Sequence, residues 1–201
     1  PAIVNHLAKY EYALKNRGQC RYSRQNKINL NSDFPGQHHW LELDNNPKKS
    51  YLEEFEKEKI VYAEIVHDQR FYLDNRGFYP EATTFLMTGP HLKYIYALLN
   101  SDPVTWILRK FYAGGGLGKE GFRYKKKFLE KLPIPQPDND DEKDIVEAIE
   151  EIINIAEQND YPSNKEKTRL VKEYEELIND YIYKLYGFSE LEINYVQNSI
   201  L

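Results

Sequence analysis

The order of apolar and polar residues gives the chain three textures. In the first, Ile3, Leu7, Tyr10 and Leu14 recur at helical intervals, which predicts one amphipathic helix from Pro1 to about Arg17 with Gly18 as its stop. Residues 19–36 are polar and irregular and carry Arg21, Arg24 and Lys27; they read as a loop, or as a basic surface that orders on a partner. Trp40–Leu43 alternates as a short strand does, Asp44–Pro47 reads as a turn, and Tyr51–Lys57 as a short helical turn.

The second texture is that of a sheet with helices. Lys59–Val66 (KIVYAEIV) is β-branched and apolar and predicts a central strand. Arg70–Leu73 predicts a second strand, Asp74–Gly77 a turn, Phe78–Tyr79 a return to the sheet, and Thr83–Thr88 a further strand that Gly89-Pro90 breaks. Pro90–Asn100 is helical, with Leu92, Ile95 and Leu98/Leu99 on one face. Ser101-Asp102-Pro103 opens another helix, with Pro in its first turn and Val104–Tyr112 as its body. After residues 114–121 a basic run, Arg123–Lys127, reads as the start of a strand, and Leu132–Pro135, with two prolines, as an edge strand or extended exit.

The third texture begins after a charged linker at Asp138–Asp141 and is helical only. Ile145, Ile149, Ile152 and Ala156 form one stripe; Leu170, Tyr174, Leu177, Tyr181 and Leu185 form another. Ser163–Glu166 and Ser189–Glu192 have the capping-box pattern, and Gly187 suits the position after a helix end. The predicted fold class is α+β. A small mixed β-sheet domain with packed helices, residues 1–137, precedes a C-terminal antiparallel helical hairpin, residues 138–201. The hairpin is either a separate arm or a cap on the same core.

Composition changes this picture in three ways. Tyrosine dominates the aromatics, 17 against 9 Phe, which suits a wet binding surface. A single cysteine, Cys20, forms no internal disulfide and fits a reducing compartment. No run of about 18 apolar residues predicts a membrane span, and no secretory signal is visible. A chain beginning at Pro1 reads as a fragment of a longer protein. The net charge of −5 hides an asymmetry: residues 1–137 hold 21 Lys+Arg against 15 Asp+Glu, a net of +6, and residues 138–201 hold 6 against 17, a net of −11. Phosphates would be repelled by the second part, so a nucleic acid would bind the first.

The densest group of unusual choices is Gly114–Pro135, GGGLGKEGFRYKKKFLEKLPIP. Four glycines in five residues make an unrestrained loop, and Arg123, Tyr124, Lys125, Lys126 and Lys127, with Lys119 just upstream, place an aromatic ring within a dense basic run. That combination suits a nucleic-acid contact or, equally, a solvated basic loop before an edge strand.

Catalytic readings fail one by one. The glycine loop is no P-loop, because Ala113 stands at the first glycine position and no Ser/Thr follows Lys119. It follows a helix, whereas the glycine turn of a dinucleotide or S-adenosylmethionine site follows a strand. Asn45-Asn46-Pro47-Lys48 lacks the second proline and the aromatic of the Asn-Pro-Pro-aromatic motif. Asp138 and Asp141-x-Lys143 have nuclease residue types, too close together. His38 and His39 would point to opposite faces of a strand, and Cys20 has no catalytic partner at suitable spacing. No metal site is predicted.

Three blocks in order carry a resemblance. They are Lys59–Ile65 with Arg70–Asp74; Gly77–Pro80 with Thr83–Phe85, Leu92–Tyr94 and Ala97–Ser101; and Gly121–Lys126 through Phe128-Leu129 to Leu132–Pro135. Together they resemble the TaqI-like C-terminal specificity domain, the target-recognition domain of adenine-N6 DNA methyltransferases and of type IIG restriction enzymes. His39-Trp40, the opening helix and the segment Ile178–Gly187 fit the same family, so the resemblance spans nearly the whole chain.

The resemblance implies a DNA target-recognition domain at residues 1–137 and a spacer or dimer-forming arm at 138–201. This chain would not be catalytic; the parent would be a site-specific adenine-N6 methyltransferase or a type IIG restriction endonuclease. The cofactors, S-adenosylmethionine with Mg2+ left open, would belong to the parent and none to this chain. The implied partners are double-stranded DNA and an upstream methyltransferase domain of the same chain, with a homodimer through the hairpin left open, no membrane, and a prokaryotic cytoplasm as the setting. The phosphate-holding candidates are Lys119, Arg123, Lys125, Lys126 and Lys127, with Arg21, Arg24, His38, Arg70 and Arg76 secondary. Tyr124 either joins them or packs into the core. The competing reading is a protein-interaction or dimerisation module that works through the helical arm, with incidental DNA contact.

Overall fold

The computed structural model describes residues 1–21, 39–42, 48–66, 70–80, 83–112, 122–124, 126–137 and 139–200. They fall into two units, Pro1–Leu52 and Glu53–Leu201.

In the first unit the predicted single helix is two, α1 (Ala2–Ala8) and α2 (Glu11–Lys15). The N–H groups of Lys9 and Tyr10 bond to the carbonyls three residues back, on His6 and Leu7. This tightens the turn, and Tyr10 leaves helical geometry at φ −113° and ψ 13°. Gly18 begins a further turn, α3 (Gly18–Arg21), where a stop was expected. Arg17 holds the segment around Trp40: its Nη2 donates to the Glu42 carbonyl at 2.6 Å and the Trp40 carbonyl at 3.2 Å. Residues 40–42 are therefore a turn, not a strand; the Glu42 carboxylate accepts the His39 N–H at 2.8 Å and closes it. Helix α4 (Lys49–Phe55) spans the junction of the two units.

The second unit is built on β1 (Lys59–Ala63), which bends at Glu64 into the short β2 (Ile65–Val66). Strands β3 (Phe71–Asp74) and β4 (Thr84–Met87) flank β1, antiparallel on both sides, in the order β3-β1-β4. The register puts Ile60 between Leu73 and Met87, and Tyr62 between Phe71 and Phe85. These side chains face the core, where α5 (Leu92–Asn100) covers them and α6 (Asp102–Ile107) packs in turn against α5. Asn100, at the end of α5, bonds to β3 as another strand would. Its Oδ1 accepts the Phe71 N–H at 3.1 Å and its Nδ2 donates to the Phe71 carbonyl at 3.2 Å.

A π-helix, Leu108–Tyr112, continues α6. Beyond it, β5 (Phe122–Arg123) pairs antiparallel with β2, and α7 (Lys126–Leu129) comes next. The predicted strand over Arg123–Lys127 therefore ends at Arg123. Residues 139–141, read as linker, are the first turn of α8 (Asn139–Ala156), whose opening acids Asp140, Asp141 and Glu142 suit the positive end of the helix dipole. Helix α9 (Lys165–Leu185) returns antiparallel, so that Tyr181 near its end reaches Asp144 near the start of α8 at 2.7 Å. The cap of α9 is Asn164 rather than Ser163; its Oδ1 accepts the N–H groups of Glu166 and Lys167. At the other end Gly187, φ +69°, closes a Schellman motif. Its N–H bonds to the Lys184 carbonyl and that of Phe188 to the Tyr183 carbonyl, with the Tyr183 and Phe188 rings in contact. At the start of α10 (Glu190–Ile200) the Glu192 carboxylate accepts the Ser189 N–H and the Ser189 hydroxyl, which is the glutamate half of the expected box. Ile145 and Ile149 of α8 and Ile178 and Ile182 of α9 share one core with Ile60 and Tyr62 of the sheet. No helix among the described residues is long and apolar enough to cross a membrane.

Phe78 and Tyr79 do not rejoin the sheet, because the Phe78 N–H is bonded to Asp74 Oδ2 at 2.9 Å. Asp74 is one half of a buried ion pair. Lys59 and Asp74 face each other across β1 and β3 with both side chains 0 % exposed and Nζ 2.5 Å from Oδ2. Lys59 also donates to the Phe55 carbonyl at 2.7 Å, and Asp74 Oδ1 accepts the Arg76 N–H at 2.9 Å. Burial by itself would raise the Asp74 carboxyl. The Lys59 ammonium and the two backbone N–H groups outweigh it and hold the carboxyl below its ordinary value.

Replacing Asp74 with Ala strands a buried ammonium and should cost about 3–5 kcal/mol in urea denaturation, whereas the paired change Lys59→Met with Asp74→Leu should recover only part of that loss, because the Arg76 and Phe78 N–H groups and the Phe55 carbonyl lose their partners. Because the folded carboxyl titrates below its unfolded value, its stabilisation is complete above about pH 4 and is lost as pH falls through the folded value. Asp74→Asn should therefore flatten the acid limb of a stability–pH curve, and an unchanged limb would show that other carboxylates set it.

Candidate nucleic-acid interface

The basic segment is held to the core at several points. The β2–β5 pairing sets Arg123 opposite Ile65 and Phe122 opposite Val66, and the Tyr124 N–H extends it to the Glu64 carbonyl at 2.8 Å. Tyr124 is 1 % exposed. Its ring lies 6.0 Å from that of Phe71, which continues a row of rings across the sheet to Tyr62 at 5.4 Å and on to Phe85 at 5.5 Å. Burial pushes the Tyr124 hydroxyl up to about 12, against the opposing pull of the Arg109 guanidinium beside it. Tyr124 thus belongs to the core, and of the two roles open to it the surface contact is not available. Downstream, Leu132 is buried, and two tyrosine hydroxyls hold the proline exit: Tyr186 donates to the Pro133 carbonyl at 2.7 Å and Tyr94 to the Pro135 carbonyl at 2.8 Å. These anchors fix α7 with Lys126 and Lys127 exposed. Lys126 makes a long pair with Glu130, 3.6 Å, with both side chains well exposed, which leaves its charge available to a stronger anion.

The remaining candidates are scattered. Arg70 is exposed and precedes Phe71, at the same end of the sheet as Tyr124. Arg76 follows Asp74 at the opposite end, and its guanidinium pairs with Glu157 at 2.8 Å. Arg123 lies in β5 and Arg21 in α3, each placed by its backbone. Lys119, Lys125, Arg24 and His38 lie outside the described residues, as does the glycine loop. Among the described residues no group of His, Cys, Asp or Glu is disposed to hold a metal ion.

Residue spacing alone does not point to the π-helix. In an α-helix Val104, Leu108 and Phe111 would lie on one face. Val104 and Leu108 are indeed buried, yet Phe111 is 69 % exposed. The wider turn over Leu108–Tyr112 carries Phe111 off the core face and sets its ring edge-on to Trp106 at 5.7 Å. The one sequence signal was the pair of cations followed by a pair of aromatics, Arg109-Lys110-Phe111-Tyr112, shortly before the glycines.

The class so defined is an α+β domain that presents a rigidly mounted basic segment from a small antiparallel sheet. The family model of the TaqI-like C-terminal specificity domain matches residues 10–134, well over half of the chain, and the chain belongs to that family. The match begins after α1 and stops before α8, so it is shorter than the near-complete span expected and leaves the hairpin outside. No curated relative matches the chain. A specificity domain of this family recognises DNA for a restriction–modification enzyme and is not itself the catalytic part.

Removing only the Tyr124 hydroxyl, as Phe, should lower stability by about 1–3 kcal/mol, because the Arg109 guanidinium keeps its place and loses an acceptor. Urea denaturation measures this; an unchanged midpoint would mean that the ring alone anchors the segment.

Proposed function

We propose that this domain docks on double-stranded DNA through α7 and the neighbouring ribbon and positions a target adenine for an upstream N6-adenine methyltransferase domain of the same parent chain. The observation that carries it is the mounting of α7: separate anchors in the core hold a four-residue helix whose two lysines face solvent, in a chain of the specificity-domain family. Such rigidity suits phosphate contacts, which fix the register of a protein on the duplex. Lys126 and Lys127 hold phosphates. Base reading falls to loop side chains that enter the major groove. S-adenosylmethionine belongs to the upstream domain, and the parent is a methyltransferase or a type IIG restriction endonuclease.

Duplex affinity should fall steeply with salt, by roughly 0.9 log units per phosphate contact per log unit of salt. Lys126→Ala with Lys127→Ala should lower that slope by roughly 2 and leave the unfolding midpoint unchanged. A slope that stays flat in the parent chain, or that the double substitution does not change, would favour the competing reading in which the acidic helices are the working surface.

A further inference from the structure

The π-helix stands beside the proposed phosphate contact and is absorbed by no part of that reading. Four observations bear on it. Phe111 is 69 % exposed although its spacing from Val104 and Leu108 is that of a core residue, so the π turn gives up backbone regularity to bring an aromatic ring outside. Such turns cluster at functional sites. Lys110, next to it, is also exposed. Arg109, the preceding residue, has its guanidinium against Tyr124, the anchor two residues before Lys126. The π-helix and α7 are thus fastened to each other through one buried contact, and their exposed lysines, Lys110, Lys126 and Lys127, flank the glycine loop in the sequence. Trp106 meets the Phe111 ring edge-to-face and meets Tyr195 the same way at 6.1 Å, so the ring has a protein contact and still exposes most of its surface.

We propose that the π-helix is a second nucleic-acid contact, in which Phe111 stacks on a nucleobase unstacked from its neighbours and Lys110 holds the adjoining phosphate. An aromatic face beside a cation is the arrangement that binds nucleic-acid strands without regard to sequence, since every base has a π face. The exposed Lys110 cation next to Phe111 favours this occupant over an apolar protein segment, which would bury Lys110 without a partner. The inference rests on the reading of the domain as a DNA binder. It adds that the domain engages bases exposed by local opening of the duplex, as any enzyme acting on a base atom within a duplex requires.

The test uses the 201-residue chain and two single-stranded probes of equal length and charge, oligodeoxythymidylate and an abasic deoxyribose-phosphate strand. The wild-type chain should prefer the base-bearing strand by roughly fivefold to a hundredfold, the range of one base–aromatic stack. Phe111→Ala and Phe111→Leu should remove the preference while keeping the abasic affinity, and Phe111→Tyr should retain it. Lys110→Ala should weaken both probes and reduce the salt slope by roughly 0.7. Because Phe111 is exposed, these variants should unfold at the wild-type midpoint. A preference that survives in Phe111→Leu and Phe111→Ala overturns the inference and leaves the α7 reading standing. Equal binding of both strands by the wild type overturns it likewise. Failure of the chain to bind any strand or duplex overturns both.

Discussion

The ion pair between Lys59 and Asp74 ties together four pieces of the second unit: the start of β1, the end of β3, the last carbonyl turn of α4 and the loop that leaves β3. Both charges are removed from water, so each is tolerable only with its partners in place. That makes the pair a register device. A slip of β3 against β1 by one residue would turn the apolar side chains to the wrong face and would also leave a buried ammonium opposite no acid. The pair therefore acts through the cost of every alternative pairing more than through net attraction.

With the register set, the row Phe85–Tyr62–Phe71–Tyr124 is set too, because Tyr62 can meet both Phe71 and Phe85 only when β1 lies between β3 and β4 in this pairing. The row ends on Tyr124, outside the three-stranded sheet, and so carries the order of the sheet out to the β2–β5 ribbon and α7. The ion pair sits at one end of the sheet and the ribbon at the other. A rigid recognition segment thus depends on a charge pair with no place in recognition. Asn100 secures the ribbon end of β3 from the helical side, through both backbone groups of Phe71.

The elements with a strong period were legible from the chain alone. The strands at Lys59–Val66 and Thr83–Thr88, the helix ending at Asn100 and the two long C-terminal helices are each set by local spacing and composition; most of their ends moved by only a few residues, while Lys59–Val66 divides at Glu64 between two sheets. Two of the errors fall where a side chain takes up a backbone group. Residues 40–42 turn because Glu42 closes on His39 and Arg17 takes the free carbonyls. Phe78 leaves the sheet because Asp74 holds its N–H. The strand read from Arg123 stops at that residue, where its partner β2 offers only two residues, and Lys126–Leu129 is helix. Of the proposed site, the lysines of the basic run were visible as a run, whereas the division of labour within it, Tyr124 inward and Lys126 and Lys127 outward, depends on the core it docks into.

The sequence by itself determined the α+β class, the order of the elements, the split between a basic first part and an acidic last part, and the three blocks that mark the family. Each of these is a property of neighbours along the chain. The tertiary structure alone decided that the C-terminal hairpin shares its core with the sheet, that Arg76 pairs with Glu157 far from α7, and that Phe111 leaves the core face through a π turn. Those outcomes depend on residues brought together from distant parts of the chain, where burial, charge and hydrogen bonding compete and no local period records which one prevails.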